Sequence, residues 1–287
     1  MQSVPDKGFH GGERLAQHRA GVTAEADRLA GMLTTQHITE GMSRFLADQE
    51  LAFITGEDQG GLLWTSPISG PRGFCTGSGP GLLLAGGAAD GDPLQSLRDG
   101  QALGVLFVDF ARRRRLRING VISNADAGGI DIAVEQAFGN CPRHIVPRSH
   151  QWSGSRNDAR DHSRHRRLAP EHLALIAAAH TFILGTAHPA RGADTSHRGG
   201  APGFVRWTGN ELWWPDYVGN NLFNSIGNIV THPSTSLLFV DFQQQASLQI
   251  SGHGAVEWEV TSHLENDEET GRRVRVVPAA IVHSRRF

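Results

Sequence analysis

Cysteine is almost absent: Cys75 and Cys141 are the only two among 287 residues. Two thiols are too few for a disulfide framework, and too few for a thiolate zinc site without histidine help. A reducing, cytoplasmic setting is therefore expected. Long apolar runs are missing as well. No stretch approaches the roughly 20 residues of a membrane span, and Met1 to Arg19 is polar and glycine-containing, unlike a signal peptide. No membrane partner is expected. A surplus of one charge is also lacking, with 27 Lys+Arg against 29 Asp+Glu, a formal net charge of -2. Nothing in that balance makes a basic field for nucleic acid. What the chain does have is glycine, 35 residues of it, with 13 prolines, the supply of turn angles a many-stranded protein needs. Its length suits two cores rather than one.

The two cores announce themselves as a repeat. Leu106-Phe107-Val108-Asp109-Phe110 recurs as Leu238-Phe239-Val240-Asp241-Phe242, a shift of 132 (241 minus 109). Leu116, Ile118 and Gly120 recur at that shift as Leu248, Ile250 and Gly252, so an alternating strand pattern is repeated too. Upstream, Thr65-Ser66, Gly70, Gly73 and Phe74 match Thr195-Ser196, Gly200, Gly203 and Phe204 at a shift of 130 (195 minus 65). Small changes of offset mean loops of different length between fixed strands, as in a duplicated domain. Each copy reads as a short helix followed by strands. In the second, a helix over Glu171 to Ala179 precedes strands at Thr181 to Thr186, Phe204 to Trp207, Glu211 to Trp214, Ser236 to Asp241 and Leu248 to Trp258. An amphipathic helix within Asn220 to Thr231 interrupts them, stopped by Pro233. In the first copy Ile130 to Val134 is expected to pair with Arg117 to Ser123. The expected organisation is an N-terminal extension over 1–41, a first barrel over 42–147, a solvated Ser/His/Arg-rich linker over 148–169 and a second barrel over 170–287.

Three segments could carry chemistry. Asp194-Thr195-Ser196-His197-Arg198-Gly199-Gly200 leads through Gly203-Phe204 into a strand. Its glycines allow close backbone approach, and its hydroxyls and guanidinium are natural phosphate partners. The competing reading is a polar hairpin loop. Trp214-Pro215-Asp216-Tyr217 with Asn220, Asn221 and Asn224 runs from a strand into a helix start. There free amides and the helix dipole favour an anion, and Asn220 and Asn221 can cap and donate. Trp214 is equally readable as core, and Tyr217 can lie beside a planar ring. Finally, Asn140-Cys141-Pro142-Arg143 closes the first copy. Its cysteine reads as packed and unreactive, with Asn140 and Arg143 the better ligand contacts. The run Arg112 to Arg115 reads as a solvated hairpin tip, its counterpart being Gln243-Gln244-Gln245. His162, His165 and His172 lack a completing carboxylate or thiolate pattern, and no metal site is expected.

Taken together, Ser196-His197-Arg198-Gly199-Gly200, Pro202-Gly203-Phe204, Trp214-Pro215-Asp216-Tyr217, Gly219-Asn220-Asn221, Phe138-Gly139-Asn140-Cys141-Pro142 and both Leu-Phe-Val-Asp-Phe strands resemble the pyridoxamine 5'-phosphate oxidase-like, FMN-binding split-barrel family. The resemblance spans residues 40 to 280 and implies a mainly β protein of two tandem split barrels with FMN in a groove between them. It implies that Arg198, Ser196 and the Asn220-Asn221 turn hold phosphate, and that Phe204, Trp214 and Tyr217 lie along the ribityl chain or ring. The first copy has Ser66-Pro67-Ile68-Ser69-Gly70 where the second has its arginine, so the second copy is expected to supply most phosphate contacts. The tail Arg272 to Phe287 does not reproduce the substrate strand of true pyridoxamine phosphate oxidases. A vitamin B6 substrate is not expected. The expected function is an FMN-dependent oxidoreductase passing hydride or electrons between a small molecule, NAD(P)H or oxygen. The alternative is a non-catalytic flavin or haem module, with His197 or His144 as axial ligand. A homodimer is expected as well.

Overall fold

The computed structural model describes residues 8–140, 142–147, 161–219, 221–260 and 270–285. The chain opens with helices α1 (Gly11–Arg19) and α2 (Thr23–Asp27), a 3-10 turn over Ala30–Thr34 and α3 (Glu40–Ala47). The first sheet holds β1 (Leu51–Glu57), β2 (Leu63–Ser69), β3 (Cys75–Ser78), β4 (Gly81–Leu84), β5 (Ala102–Asp109), β6 (Arg114–Asp126) and β7 (Gly129–Gly139). After β8 (Asp161–His165) and α4 (Pro170–Ala178) come β9 (Thr181–His188), β10 (Gly192–Gly199), β11 (Arg206–Trp207) and β12 (Leu212–Pro215). Helix α5 (Asn224–Thr231), β13 (Ser234–Asp241), β14 (Ala246–Trp258) and β15 (Arg272–Arg285) complete the second copy.

Both sheets are antiparallel and share one topology. The first runs β2-β1-β5-β6-β7-β4-β3 and the second β10-β9-β13-β14-β15-β12-β11, neither path closing on itself. The protein is two tandem split barrels. β8, which sequence had placed inside the linker, instead pairs along the outer part of β15; residues 148–160 lie outside the described part. The sequence match therefore reports matched strands, since Leu106 and Leu238 occupy the same place in β5 and β13.

The apolar runs of these two strands have a physical reason. Phe107 and Phe239 point into the cores of their own barrels, among Trp64, Ile54 and Leu116 in one and Phe182, Trp214 and Leu248 in the other. Leu106 and Leu238 face the opposite way and meet Phe53 and Ile183 in a cluster between the barrels. A strand buried on both faces has no polar side, so alternation disappears. Each of these four fully buried side chains contributes roughly 1.5–3 kcal/mol on removal from water.

Polar groups cross the same interface. Thr195 Oγ1 donates to Thr55 Oγ1 at 2.8 Å, Thr55 meets Thr65 at 2.9 Å, and Thr65 meets Ser236 at 2.6 Å. A hydroxyl gives and accepts at once, so four of them can satisfy each other without water. Gly185 makes the space, because a Cβ there would overlap Ser236 Oγ and Thr65 Oγ1.

The N-terminal helices belong to the second barrel as much as to the first. α1 lies across α5 with Gly12 against Gly227, each without room for a Cβ. Gln17 donates to the Leu222 carbonyl at 3.1 Å, and His10 meets Asn228 at 3.0 Å. Gly8 to Arg19 thus clamps the helix that borders the site.

Candidate functional site

The segment Asp194 to Gly199 is strand β10, paired with β9 from Gly192↔His188 to Gly199↔Thr181. A hairpin loop is thereby corrected to a buried strand. Its polar residues survive burial because the other barrel or α5 satisfies them. Arg117 Nη1 donates to both Asp194 oxygens at 3.0 and 3.1 Å, while Asn119 and Ser225 each reach that carboxylate at 3.2 Å. Ser196 Oγ lies 2.9 Å from Ser225 Oγ.

Two cavities meet along this strand. One, about 620 Å³ including its open mouth, is walled by Arg115, Arg117, Asn140, Arg143 and His144 of the first copy; Cys141 lies outside the described residues. Across it stand His197 to Gly199, Phe204, Trp214 to Tyr217 and Gly219. The other, about 450 Å³, runs from Arg117 and Arg198 past Asp216 and Tyr217 to Asn221, the start of α5 and Arg272. Arg117, Arg198, Asp216, Tyr217 and Gly219 line both, so they form a single groove.

Arg198 stands at the junction. Burial works against its charged form, with Asp216 the foremost opposing charge, and its Nε has no hydrogen-bond partner among the described residues. Asp216 is already committed, accepting from Arg272 Nε at 3.0 Å. A guanidinium stripped of water and short of acceptors is a strong anion site. The adjoining first turn of α5 adds to it. Its N-cap, Phe223, has φ 61 and no capping side chain. The helix starts at Asn224, so Asn221 does not cap it; instead Asn221, also at φ 61, lines the groove. Asn220 lies outside the described residues. The Asn224 side chain donates to Glu13, whose buried carboxyl is pushed up to about 7, chiefly by desolvation.

The other end of the groove is aromatic. His144 stacks on Tyr217 with centroids 5.3 Å apart, and His144 Nε2 and Arg143 Nη1 both donate to the Val218 carbonyl, at 3.1 and 3.4 Å. Phe204 and Trp214 are buried around Phe182 behind this wall, so they shape it largely as core. His197 is buried with both ring nitrogens engaged. Arg115 donates to Nδ1 at 3.3 Å, which assigns the proton to Nε2 facing Thr181 Oγ1 at 3.2 Å. That leaves neither nitrogen poised as a haem ligand.

Of the residues singled out in the sequence, Asn140, Arg143, His197, Arg198, Phe204, Trp214, Pro215, Asp216, Tyr217, Asn221 and Asn224 line the groove. Ser196 and Gly203 do not: Ser196 is satisfied inside the fold, and Gly203, at φ 82, serves the turn before Phe204. Sequence reasoning missed Arg115, Arg117 and Arg272, and named His144 only as a haem ligand. Arg115 is the last of the run read as a solvated tip, and it turns inward because β6 has already begun at Arg114. A signal was available. Arg115, Arg117 and Asn119 alternate with the core residues Leu116 and Ile118, so they share the other face of one strand. Among the described residues no group of three or more His, Cys, Asp or Glu is placed to hold a metal ion. Cys75 is buried and its thiol is pushed up by desolvation, an unreactive setting. No described helix is long and apolar enough to cross a membrane.

No protein-family model and no curated protein matches the chain. Among solved structures, it is similar to HupZ of Group A Streptococcus at 12% identity, over 40% of this chain and 92% of that one, with TM-score 0.33. It is similar to general stress protein 26 of Bacillus anthracis at 13% identity, over 38% and 87%, with TM-score 0.29. A Clostridium acetobutylicum protein related to general stress protein 26, of the pyridoxinephosphate oxidase family, matches at 11% identity over 40% and 86%, with TM-score 0.30. Each match is about one copy long. Scores this low carry nothing about activity from those proteins to this one.

Proposed function

We propose that the groove binds FMN and that the protein is an FMN-dependent oxidoreductase acting on a small molecule. The observation that carries this reading is Arg198, a desolvated guanidinium whose Nε lacks a partner among the described residues, beside an uncapped helix start and continuous with an aromatic wall. A phosphate suits the first two features and a planar ring suits the third. Arg198, the first-turn amides of α5, Asn221 and Arg272 would hold the phosphate; Tyr217, His144 and Pro215 would border the ring. When bound, FMN would supply hydride or single-electron transfer, with NAD(P)H or oxygen among the candidate partners.

The chain's own residues have separable tasks. The Arg117–Asp194 pair, one Nη1 shared by both carboxylate oxygens, keeps one guanidinium neutralised and ties the two barrels together. Arg115 and Arg143 bring positive charge to the ring end, where it would stabilise negative charge on a reduced flavin. The stacked His144 and Tyr217 cover that end against water.

The test is the absorption spectrum of the purified protein, followed by heat release and chromatography of the chromophore. Flavin bands with released FMN are expected. Arg198→Ala should weaken FMN binding roughly 10- to 150-fold, the worth of a charge-assisted hydrogen bond to a buried group. A colourless protein that takes up no added FMN overturns the reading.

A further inference from the structure

Two tandem barrels related by pseudo-symmetry ought to present two grooves. The packing is reciprocal: β10 lies against β5 and β6 of the first copy, and β2 lies against β13 and β14 of the second. Register identifies the counterparts. Arg117 stands opposite Leu106 as Gln249 stands opposite Leu238, and Arg115 opposite Val108 as Ser247 opposite Val240. Arg198 pairs with Phe182 as Ile68 pairs with Ala52. Three guanidiniums in one groove therefore correspond to a carboxamide, a hydroxyl and a branched alkyl group in the other. All three counterparts are buried, Gln249 at 0%, Ser247 at 1% and Ile68 at 2% exposure.

The place of α5 is filled differently too. In the open groove Ser196 meets Ser225 of that helix. In the first copy the matching Ser66 Oγ donates to Asp92 Oδ1 at 2.6 Å, on a loop that replaces the helix. Asp92 is 3% exposed and also accepts from the Leu94 amide at 2.8 Å and from Gln249 Nε2 at 3.1 Å. Gln249 donates further to Ser66 Oγ at 2.8 Å and to the Thr65 carbonyl at 3.1 Å.

We infer that Asp92 is the built-in anion of the second groove, so that each chain holds one phosphate-bearing ligand and not two. This rests on the reading of the open groove as an FMN site. A carboxylate satisfied by three donors leaves none of them for a phosphate, and its charge repels one. At the three positions matching the arginines, Gln249, Ser247 and Ile68 offer an incoming dianion no compensating charge. The first barrel instead lends Arg115, Arg117 and Asn140 to the site of the second, which is therefore composite.

The experiment is the ratio of flavin to chain in the intact protein saturated with FMN and freed of excess, with the flavin measured after heat release. A ratio of one is expected, and Arg115→Ser, which gives the open groove the residue of the sealed one, should lower affinity for that single flavin. A ratio of two overturns the inference, as does an Arg115→Ser protein in which half the flavin stays bound with unchanged affinity. A ratio of zero overturns the FMN reading itself, a different result from two.

Discussion

At the scale of single residues, the site is a set of charges taken out of water and compensated unequally. Asp194 and Asp216 each have an arginine, whereas Arg198 is left with little. Glu13 has the complementary problem, a carboxyl buried beside α5 whose proton is retained up to about pH 7. The sign of its effect follows. The folded chain keeps a proton that the unfolded chain loses near 4.5, so Glu13 lowers stability as pH rises from 4.5 to 7. His10, held down to about 4 mainly by burial, acts in the other direction, as do His172, His188 and His283, also lowered mainly by burial. They make stability rise with pH up to about 6.5, their unfolded value. Glu13→Gln should therefore steepen the rise of stability between mildly acidic and neutral pH. Above pH 7 it should exceed the wild type by roughly 1–3 kcal/mol, read from urea midpoints across pH. An unchanged profile would place the Glu13 proton elsewhere. Residue-level legibility followed chemistry. Arg198 and Tyr217 stood out in the sequence because their segments were dense in polar and glycine residues. Arg272 did not, because its partner Asp216 lies 56 positions away.

Elements were legible where their periodicity was free of the interface. The helix expected within Asn220 to Thr231 is α5, beginning at Asn224, and the one at Glu171 to Ala179 is α4, beginning at Pro170. β10 was hidden, since a strand with Asp, Thr, Ser, His and Arg in succession looks like a loop until the groups satisfying them are known. β15 was hidden by being taken for a divergent tail, although it pairs with β14 along its whole length. The contact of α1 with α5 leaves no trace in local sequence beyond two glycines. It makes a prediction at this scale: Gly227→Ala would drive a Cβ into the Glu13 backbone. It should cost about 1–3 kcal/mol by overpacking and, by shifting the first turn of α5, weaken FMN binding as well. Thermal melting and a fluorescence titration read the two effects separately. A variant that melts like the wild type would mean the helices can part freely.

At the scale of the molecule, the repeat of Leu-Phe-Val-Asp-Phe was enough to reveal two barrels. It could not reveal how they are joined, because the polar centre of the joint is made of ordinary threonines, a serine and a glycine. Gly185→Ala forces a methyl group onto Ser236 and Thr65 at the centre of that joint. We expect it to cost about 2 kcal/mol or more, leaving buried hydroxyls unpaired, and to loosen both barrels together. Calorimetry of the wild type should show one transition, since the Phe53, Leu106, Ile183 and Leu238 cluster is built by residues of both barrels. Two separated transitions, with only one moved by Gly185→Ala, would show that the barrels fold independently.

The covalent link between barrels has a consequence for how the groove behaves on dilution. A site shared between separate subunits loses one wall whenever the subunits part, and its affinity then falls with protein concentration. Here the wall carrying Arg115, Arg117 and Asn140 is tethered to the wall carrying Arg198 and Tyr217. The chain presents one to the other at an effective concentration that no dilution alters. Occupancy should then depend on the free ligand alone, even at the scarcity of a protein present in a few copies.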